Sequence, residues 1–287
     1  MCGVFFYTKN QKIISPETVL EFLKHRGPDG KKFIETNEIV LGHRLLAVRD
    51  KPEKSIQPVT SIDKRYVLSF NGNIWNLKTL KEKYNLNENL VLDTTVLIQI
   101  IEKVGIKFIH EIRGIFSILV YDTQKKIIYA FRDNTGQIPL YYYYKENKFF
   151  ICSEIDTIYK SLGISPEIIE KEVQDSFRFL NKIGYKTIYQ NIFKVIPGEM
   201  IELNIKTNSF NKKLFKPKIE KNCLSPFDYV GSSVEENLQN YGKVILNLSG
   251  GIDSNIVLHE ILKRNSKIDI CSTSFDDDQE EYNTDFK

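Results

Sequence analysis

Along the first two thirds of the chain, apolar positions come in short runs with a two-residue beat, interrupted by a few stretches with helical spacing. Residues 3–8 are continuously apolar, the pattern of a strand covered on both faces. Ser15-Pro16 then opens a helix, with serine at the N-cap, proline at the first helical position, and Val19, Leu20, Phe22 and Leu23 as its apolar face. His25-Arg26-Gly27-Pro28-Asp29-Gly30 stops it in a shaped loop. Residues 39–48 and 65–70 read as strands, the second alternating Tyr66, Leu68 and Phe70 against Val67 and Ser69, with Asn71-Gly72-Asn73 ending it. Helices are predicted over 76–84 and 93–104, the latter with Asp93 as N-cap and Val96, Leu97, Ile100 and Ile101 at core spacing. Residues 114–121 and 126–131 form a hairpin around Asp122-Thr123-Gln124-Lys125, and strands follow at 140–144, 148–152 and 199–205. The tyrosine run 141–144 reads as strand propensity rather than as a stacking platform.

The pattern fades over 206–225 into lysine, asparagine and proline, which places a linker there, after a first domain over 1–205 and before a second over 226–287. In the second domain a helix at 234–241 precedes a buried strand that runs into Ser249-Gly250-Gly251. A helix at 255–262 and a strand at 268–275 complete the beginning of a βαβ unit. The fold class is therefore α+β: antiparallel sheets sandwiched between helical layers, then the start of a parallel α/β nucleotide-binding domain.

Composition narrows the function classes. The net charge of +3 is spread over 40 basic and 37 acidic residues without a concentrated tract, so nucleic acid is not implied. No apolar run is long enough to span a bilayer and the N-terminus lacks the pattern of a signal peptide, so the expected compartment is the cytoplasm. Cys2, Cys152, Cys223 and Cys271 form no CxxC pair, and with four scattered histidines they suggest neither a metal site nor a disulfide framework.

Candidate chemistry begins at the terminus. If Met1 is removed, Cys2 carries a thiol and a free α-amino group on one residue. Their ordinary pKa values, about 8.5 and about 7.7 to 8.0, let the amine take the thiol proton and later return one to a leaving group. Alone, the position fits a small buried hydrophobe better, and the rest of the chain has to reverse that. Asn71-Gly72 offers an amide donor and a backbone N–H at a strand end, the parts of an oxyanion hole, though a bare tripeptide is also an ordinary turn. Ser249-Gly250-Gly251-Ile252-Asp253-Ser254, between strand and helix, lets backbone N–H groups approach a phosphate; the Walker lysine and GxGxxG are both absent.

Taken in order, Cys2-Gly3, residues 25–30, Leu41-Gly42-His43-Arg44, Gln57-Pro58, Phe70-Asn71-Gly72, Arg132-Asp133, Cys152-Ser153-Glu154, Pro197-Gly198-Glu199 and residues 249–254 carry a resemblance. The chain resembles the glutamine-dependent asparagine synthetase family, whose N-terminal class II glutamine amidotransferase domain precedes an ATP-pyrophosphatase domain. The resemblance implies an N-terminal-nucleophile α/β/β/α sandwich in which Cys2 attacks the side-chain amide of glutamine and Asn71 and Gly72 hold the oxyanion. It implies Arg44, Leu45, Val48, Asn73 and Asp93 around the glutamine, and Leu248, Ser249, Gly250, Gly251, Asp253 and Ser254 around ATP. ATP with Mg²⁺ would enter as co-substrate, with no tightly bound cofactor, and aspartate would accept the ammonia. A homodimer, or a partner chain completing the synthetase domain, is the implied assembly. The alternatives are a ligase for another carboxylate and a non-catalytic binding relative.

Two departures weaken the implied glutamine clamp. Leu45 stands where the family has an arginine for the α-carboxylate, with Arg44 one residue away, and Asn73 stands where it has a glutamate for the α-ammonium. A one-residue shift on a strand turns a side chain to the other face, so Arg44 is not a simple substitute. The chain also ends shortly after Asp276-Asp277-Asp278, which leads to the expectation that the synthetase half is incomplete here.

Overall fold

The computed structural model describes residues 1–10, 13–48, 50–179, 184–216, 225–240, 244–264 and 268–272. The chain divides into two units, Met1–Lys218 and Ile219–Lys287.

The first unit is built on two six-stranded sheets. One contains β1 (Gly3–Thr8), β2 (Gly30–Glu35), β3 (Ile39–Leu45), β8 (Tyr141–Lys145), β9 (Lys148–Cys152) and β10 (Ile192–Lys194), in the order β10-β8-β9-β1-β3-β2. The other contains β4 (Val59–Thr60), β5 (Tyr66–Ile74), β6 (Gly114–Asp122), β7 (Ile127–Arg132), β11 (Glu199–Asn204) and β12 (Phe210–Leu214), in the order β12-β11-β7-β6-β5-β4. Every pairing within both sheets is antiparallel. The helices of this unit are α1 (Pro16–Phe22), α2 (Pro52–Ser55), α3 (Leu77–Lys83), α4 (Asp93–Val104), α5 (Ile155–Leu162) and α6 (Glu170–Phe179).

Strand alternation sorts the side chains into layers. Val4 and Phe6 of β1 join Leu41 of β3 and Leu119, Tyr121, Ile128 and Ile201 of the second sheet in the core between the sheets. Phe5 and Tyr7 point the other way, onto Val19, Leu20 and Leu23 at α1 and Ile158 of α5. On the far side of the second sheet, Leu68, Phe70 and Ile118 pack against Val96, Leu97 and Ile101 of α4. Helix, sheet, sheet, helix is the four-layer sandwich that the sequence implied.

Several local expectations hold. Ser15 caps α1 by accepting from Thr18 N, and Pro16 occupies its first turn. The β6–β7 hairpin closes where expected, with Asp122 Oδ1 accepting from Gln124 N and Lys125 N. Others are corrected. The strand expected over 39–48 ends at Leu45. Asn71-Gly72-Asn73 does not end its strand: β5 continues to Ile74, paired along its length with β6. Leu92, not Asp93, is the N-cap of α4; Asp93 opens the helix and its Oδ1 accepts from Ile74 N at 3.2 Å. The stretch 206–225, expected as a linker, carries β12, which pairs with β11 from Glu199↔Leu214 to Leu203↔Phe210.

In the second unit, α7 (Pro226–Asn240) precedes β13 (Ile245–Asn247), α8 (Ile252–Lys263) and β14 (Asp269–Cys271). The two strands pair in parallel, from Ile245↔Asp269 to Asn247↔Cys271, with α8 as the crossover. Residues 273–275 of the expected final strand, and the acidic stretch after them, lie outside the described residues.

Candidate active site

Cys2 sits immediately before β1, in a sheet whose register sets its surroundings. Gly3 faces Arg44 and Val4 faces His43 on β3, which brings Cys2 beside the residues just past the end of β3. There the thiol donates to Leu46 O at 3.6 Å and accepts from Leu46 N at 3.3 Å. The loop 25–30 folds over the same point. Arg26 Nε donates to Cys2 O at 2.9 Å and its Nη1 reaches Glu154 at 3.0 Å, while Asp29 accepts from Ala47 N at 2.8 Å. Gly27 permits this approach, because a Cβ there would lie 2.5 Å from the Arg44 carbonyl carbon. Burial pushes the Cys2 thiol above its ordinary pKa. The Leu46 N–H bond, the N-terminal ammonium and the Arg26 guanidinium pull the other way, and Asp29 adds to the rise. A thiol so placed needs a base to become a nucleophile.

The second sheet supplies the donors. Alternation along β5 turns Ser69 and Asn71 toward the first sheet, opposite to Leu68 and Phe70. Asn71 is 3% exposed, and among the described residues its Nδ2 has no hydrogen-bond partner. Ser117, its cross-strand neighbour on β6, is fully buried with its Oγ equally unpartnered. Such groups cost about 1 to 3 kcal/mol each unless something meets them.

The backbone of β5 is informative at its open edge. β4 pairs with Leu68 and Val67, and beyond Leu68 that edge has no strand neighbour among the described residues. Side chains take its place: Phe70 N donates to Gln57 Oε1 at 2.7 Å and Ile74 N to Asp93 Oδ1 at 3.2 Å. Between them, alternation turns the Gly72 N–H to the same edge. Only glycine fits at 72: φ is +155°, and a Cβ would lie 2.1 Å from Ile115 O.

The two sheets meet at this level. His43, fully buried on β3, lies 3.1 Å from Phe70 O through Nε2; since a carbonyl only accepts, Nε2 carries the proton and donates. Burial lowers its pKa to about 4, so the ring is neutral, and Nδ1 has no partner among the described residues. Through Val4↔His43 and His43–Phe70, the end of β1 beside Cys2 faces the part of β5 that bears Asn71 across the sandwich.

The other expected glutamine ligands are placed differently. Leu45 is buried on the same face as His43 by alternation, two residues on. Arg44 takes the opposite face, toward α1, with Glu21 at 3.9 Å from its Nη2. Val48 is 73% exposed, beyond the strand end. Asn73 is half-buried on β5, two residues past Asn71, and Asp93 holds the backbone of Ile74. Sequence reasoning singled out neither His43 nor Ser117 as functional. Both are buried polar residues in largely apolar strands, a weak signal that becomes visible only through register.

In the second unit residues 249–253, the turn into α8 and the first two residues of that helix, are exposed. Ser249 Oγ lies 3.2 Å from Ser254 Oγ and accepts from Gly251 N at 3.4 Å, and Leu248 N donates to Cys271 O. Gly251 caps α8 without a side-chain hydrogen bond, and Gly250 adopts φ +83°. Hydroxyls and N–H groups at the start of a helix suit a phosphate, and the Asp253 carboxylate suits a Mg²⁺ ion accompanying it.

Comparison with known proteins adds the family. A putative glutamine-hydrolysing asparagine synthetase 2 of Methanocaldococcus jannaschii is 28% identical over 289 residues, covering 90% of this chain and 56% of that protein. Asparagine synthetase 2 of Bacillus subtilis is 28% identical over 287 residues, covering 90% of this chain and 38% of that protein. The chain thus spans 38% to 56% of the length of these two curated relatives. Among solved structures, the glutamine phosphoribosylpyrophosphate amidotransferase of B. subtilis, complexed with ADP and GMP, matches with a TM-score of 0.54 at 15% identity. It covers 94% of this chain and 65% of that one, a likeness of fold. The family model described as a glutamine amidotransferase domain matches residues 1–215, the span that holds Cys2, Asn71 and Gly72, and the chain belongs to that family.

Proposed function

We propose that the first unit hydrolyses the side-chain amide of glutamine. After removal of Met1, the α-amino group of Cys2 takes the thiol proton and Sγ attacks the amide carbon. The negative charge that develops on oxygen is met by Asn71 Nδ2 and the Gly72 N–H. The amine returns the proton, ammonia leaves, and water hydrolyses the thioester to release glutamate and the free thiol. The observation that carries this reading is the buried, unpartnered Asn71 amide on the sheet face opposite the Cys2 strand end.

Ammonia released inside a protein that also binds ATP serves to amidate a carboxylate, and aspartate is the first acceptor to test. The support is the chemistry of the 249–254 loop and the names carried by the relatives. In this reading residues 248–254 hold ATP with its Mg²⁺, in the cytoplasm, and the enzyme is a glutamine-hydrolysing ligase. A ligase for another carboxylate shares all of this except the acceptor.

The test is glutamate release by protein whose N-terminal mass shows Met1 removed, with Cys2→Ala alongside. Turnover by the mature protein and none by Cys2→Ala is the expected result. Equal release by both overturns the assignment of the nucleophile. Heat on titrating ATP with Mg²⁺, reduced in Ser249→Ala, is expected for the second unit, and its absence removes the ligase reading while leaving the hydrolase intact.

A further inference from the structure

We propose that His43 is a positioning residue for amide hydrolysis, which aims the Asn71 donor by holding the peptide that precedes it; this rests on the glutaminase reading above. The six atoms from Cα of residue 70 to Cα of residue 71 form one rigid plane, so whatever fixes the Phe70 carbonyl fixes the point from which the Asn71 side chain springs. On an ordinary inner strand a neighbour's ladder would do this. Here β4 stops at Leu68, and the Phe70 peptide groups facing the open edge are held by two side chains, Gln57 at the N–H and His43 at the C=O.

His43 is suited to the task. Its backbone is locked in β3 between Val4 on one side and Lys32 on the other. Its ring is fully buried and burial keeps it neutral, and the Phe70 carbonyl, which only accepts, holds the single ring proton on Nε2. The strand that carries His43 leads within three residues to Leu46, whose N–H and C=O both meet the Cys2 thiol. One strand thus sets the thiol at its end and, through His43, the peptide that carries the oxyanion donor. An error of about 1 Å in such a donor is enough to lower turnover about a hundredfold.

The experiment uses the mature full chain and compares His43→Leu with His43→Gln, whose terminal amide places a donor where Nε2 stood. His43→Leu is expected to lower kcat about a hundredfold with KM little changed. The rate of Cys2 alkylation by iodoacetamide should stay at the wild-type value, and His43→Gln should recover most of kcat. In an Asn71→Ala background His43→Leu should cost nothing further, because the group it aims is gone. The inference is overturned if His43→Leu keeps wild-type kcat, if the same factor is lost with Asn71 already removed, or if alkylation falls in parallel. Should His43→Leu not fold, His43→Asn, whose amide is one carbon shorter, takes its place in the same comparison. Wild-type protein that releases no glutamate overturns the glutaminase reading and this inference with it; an active wild type with an indifferent His43→Leu overturns the inference alone.

Discussion

The two units place their chemistry in opposite settings. In the first, Asn71, His43 and Ser117 lie within strands, nearly or wholly buried, and each position is dictated by a register shared with at least one neighbouring strand. In the second, residues 249–253 are exposed at a loop, and the flanking Ile245, Ile252 and Ile270 are more than half exposed. A donor that must meet a charge lasting only through a transition state gains from a dry, fixed setting. A loop that receives a hydrated polyphosphate works at the surface, with a helix end and flexible hydroxyls.

The largest effect that would test this contrast comes from matched glycines. Gly72→Ala is expected to destabilise the protein by about 4 kcal/mol or more, since its Cβ would meet Ile115 O at 2.1 Å with no flexible side chain to yield. Gly251→Ala, whose Cβ meets nothing nearer than Ser249 Oγ at 3.4 Å, should cost at most about 1 kcal/mol. Denaturant unfolding of both variants checks the pair, and equal losses would erase the distinction.

Next in size is Asn71→Ala. It should remove about 3 to 4 kcal/mol of transition-state stabilisation from kcat while leaving the melting temperature nearly unchanged, because Nδ2 has no hydrogen-bond partner among the described residues. A large fall in stability with unaltered kcat would make Asn71 a structural residue.

The buried histidine gives a pH signature of its own. His43 titrates at about 4 when folded and near 6.5 when unfolded, so the unfolded chain binds more protons between those values. Its contribution is complete above about pH 6.5 and declines as pH falls toward 4, by about 3 kcal/mol in all. Stability measured against pH for wild type and His43→Gln should converge in acid. Parallel curves would mean that the ring takes up its proton without unfolding anything. The smallest effect is at Cys2, where the raised thiol pKa shifts the pH profile of alkylation above that of a free thiol, near 8.5. A profile displaced downward would contradict the burial described.

What the sequence revealed follows sheet position. β1, β5, β6, β7 and β9 are interior strands whose apolar content announces them. β2 and β12 passed unnoticed because they are edges: Gly-Lys-Lys-Phe-Ile-Glu and Phe-Asn-Lys-Lys-Leu keep their lysines in water, as edge strands do. The motif residues Cys2, Asn71 and Gly72 were legible from their chemistry. The turn expected at 71–73 was not there, since glycine and asparagine signal a turn locally, while pairing with β6 carries the strand through. His43 needed the register and the early end of β4 to acquire a meaning.

The position of β1 has a consequence in time. β1 is an interior strand, hydrogen-bonded to β3 on one side and to β9, residues 148–152, on the other, and Val4 N is held by Ser153 Oγ. It cannot be seated until more than half of the described chain has been synthesised. Throughout that interval residues 1 and 2 lie outside a finished sheet, which is when the removal of Met1 required by the proposed function would meet least resistance. Once β9 closes beside β1 the terminus is held between two strands, so under the proposed function the sheet order would place removal of Met1 before activity.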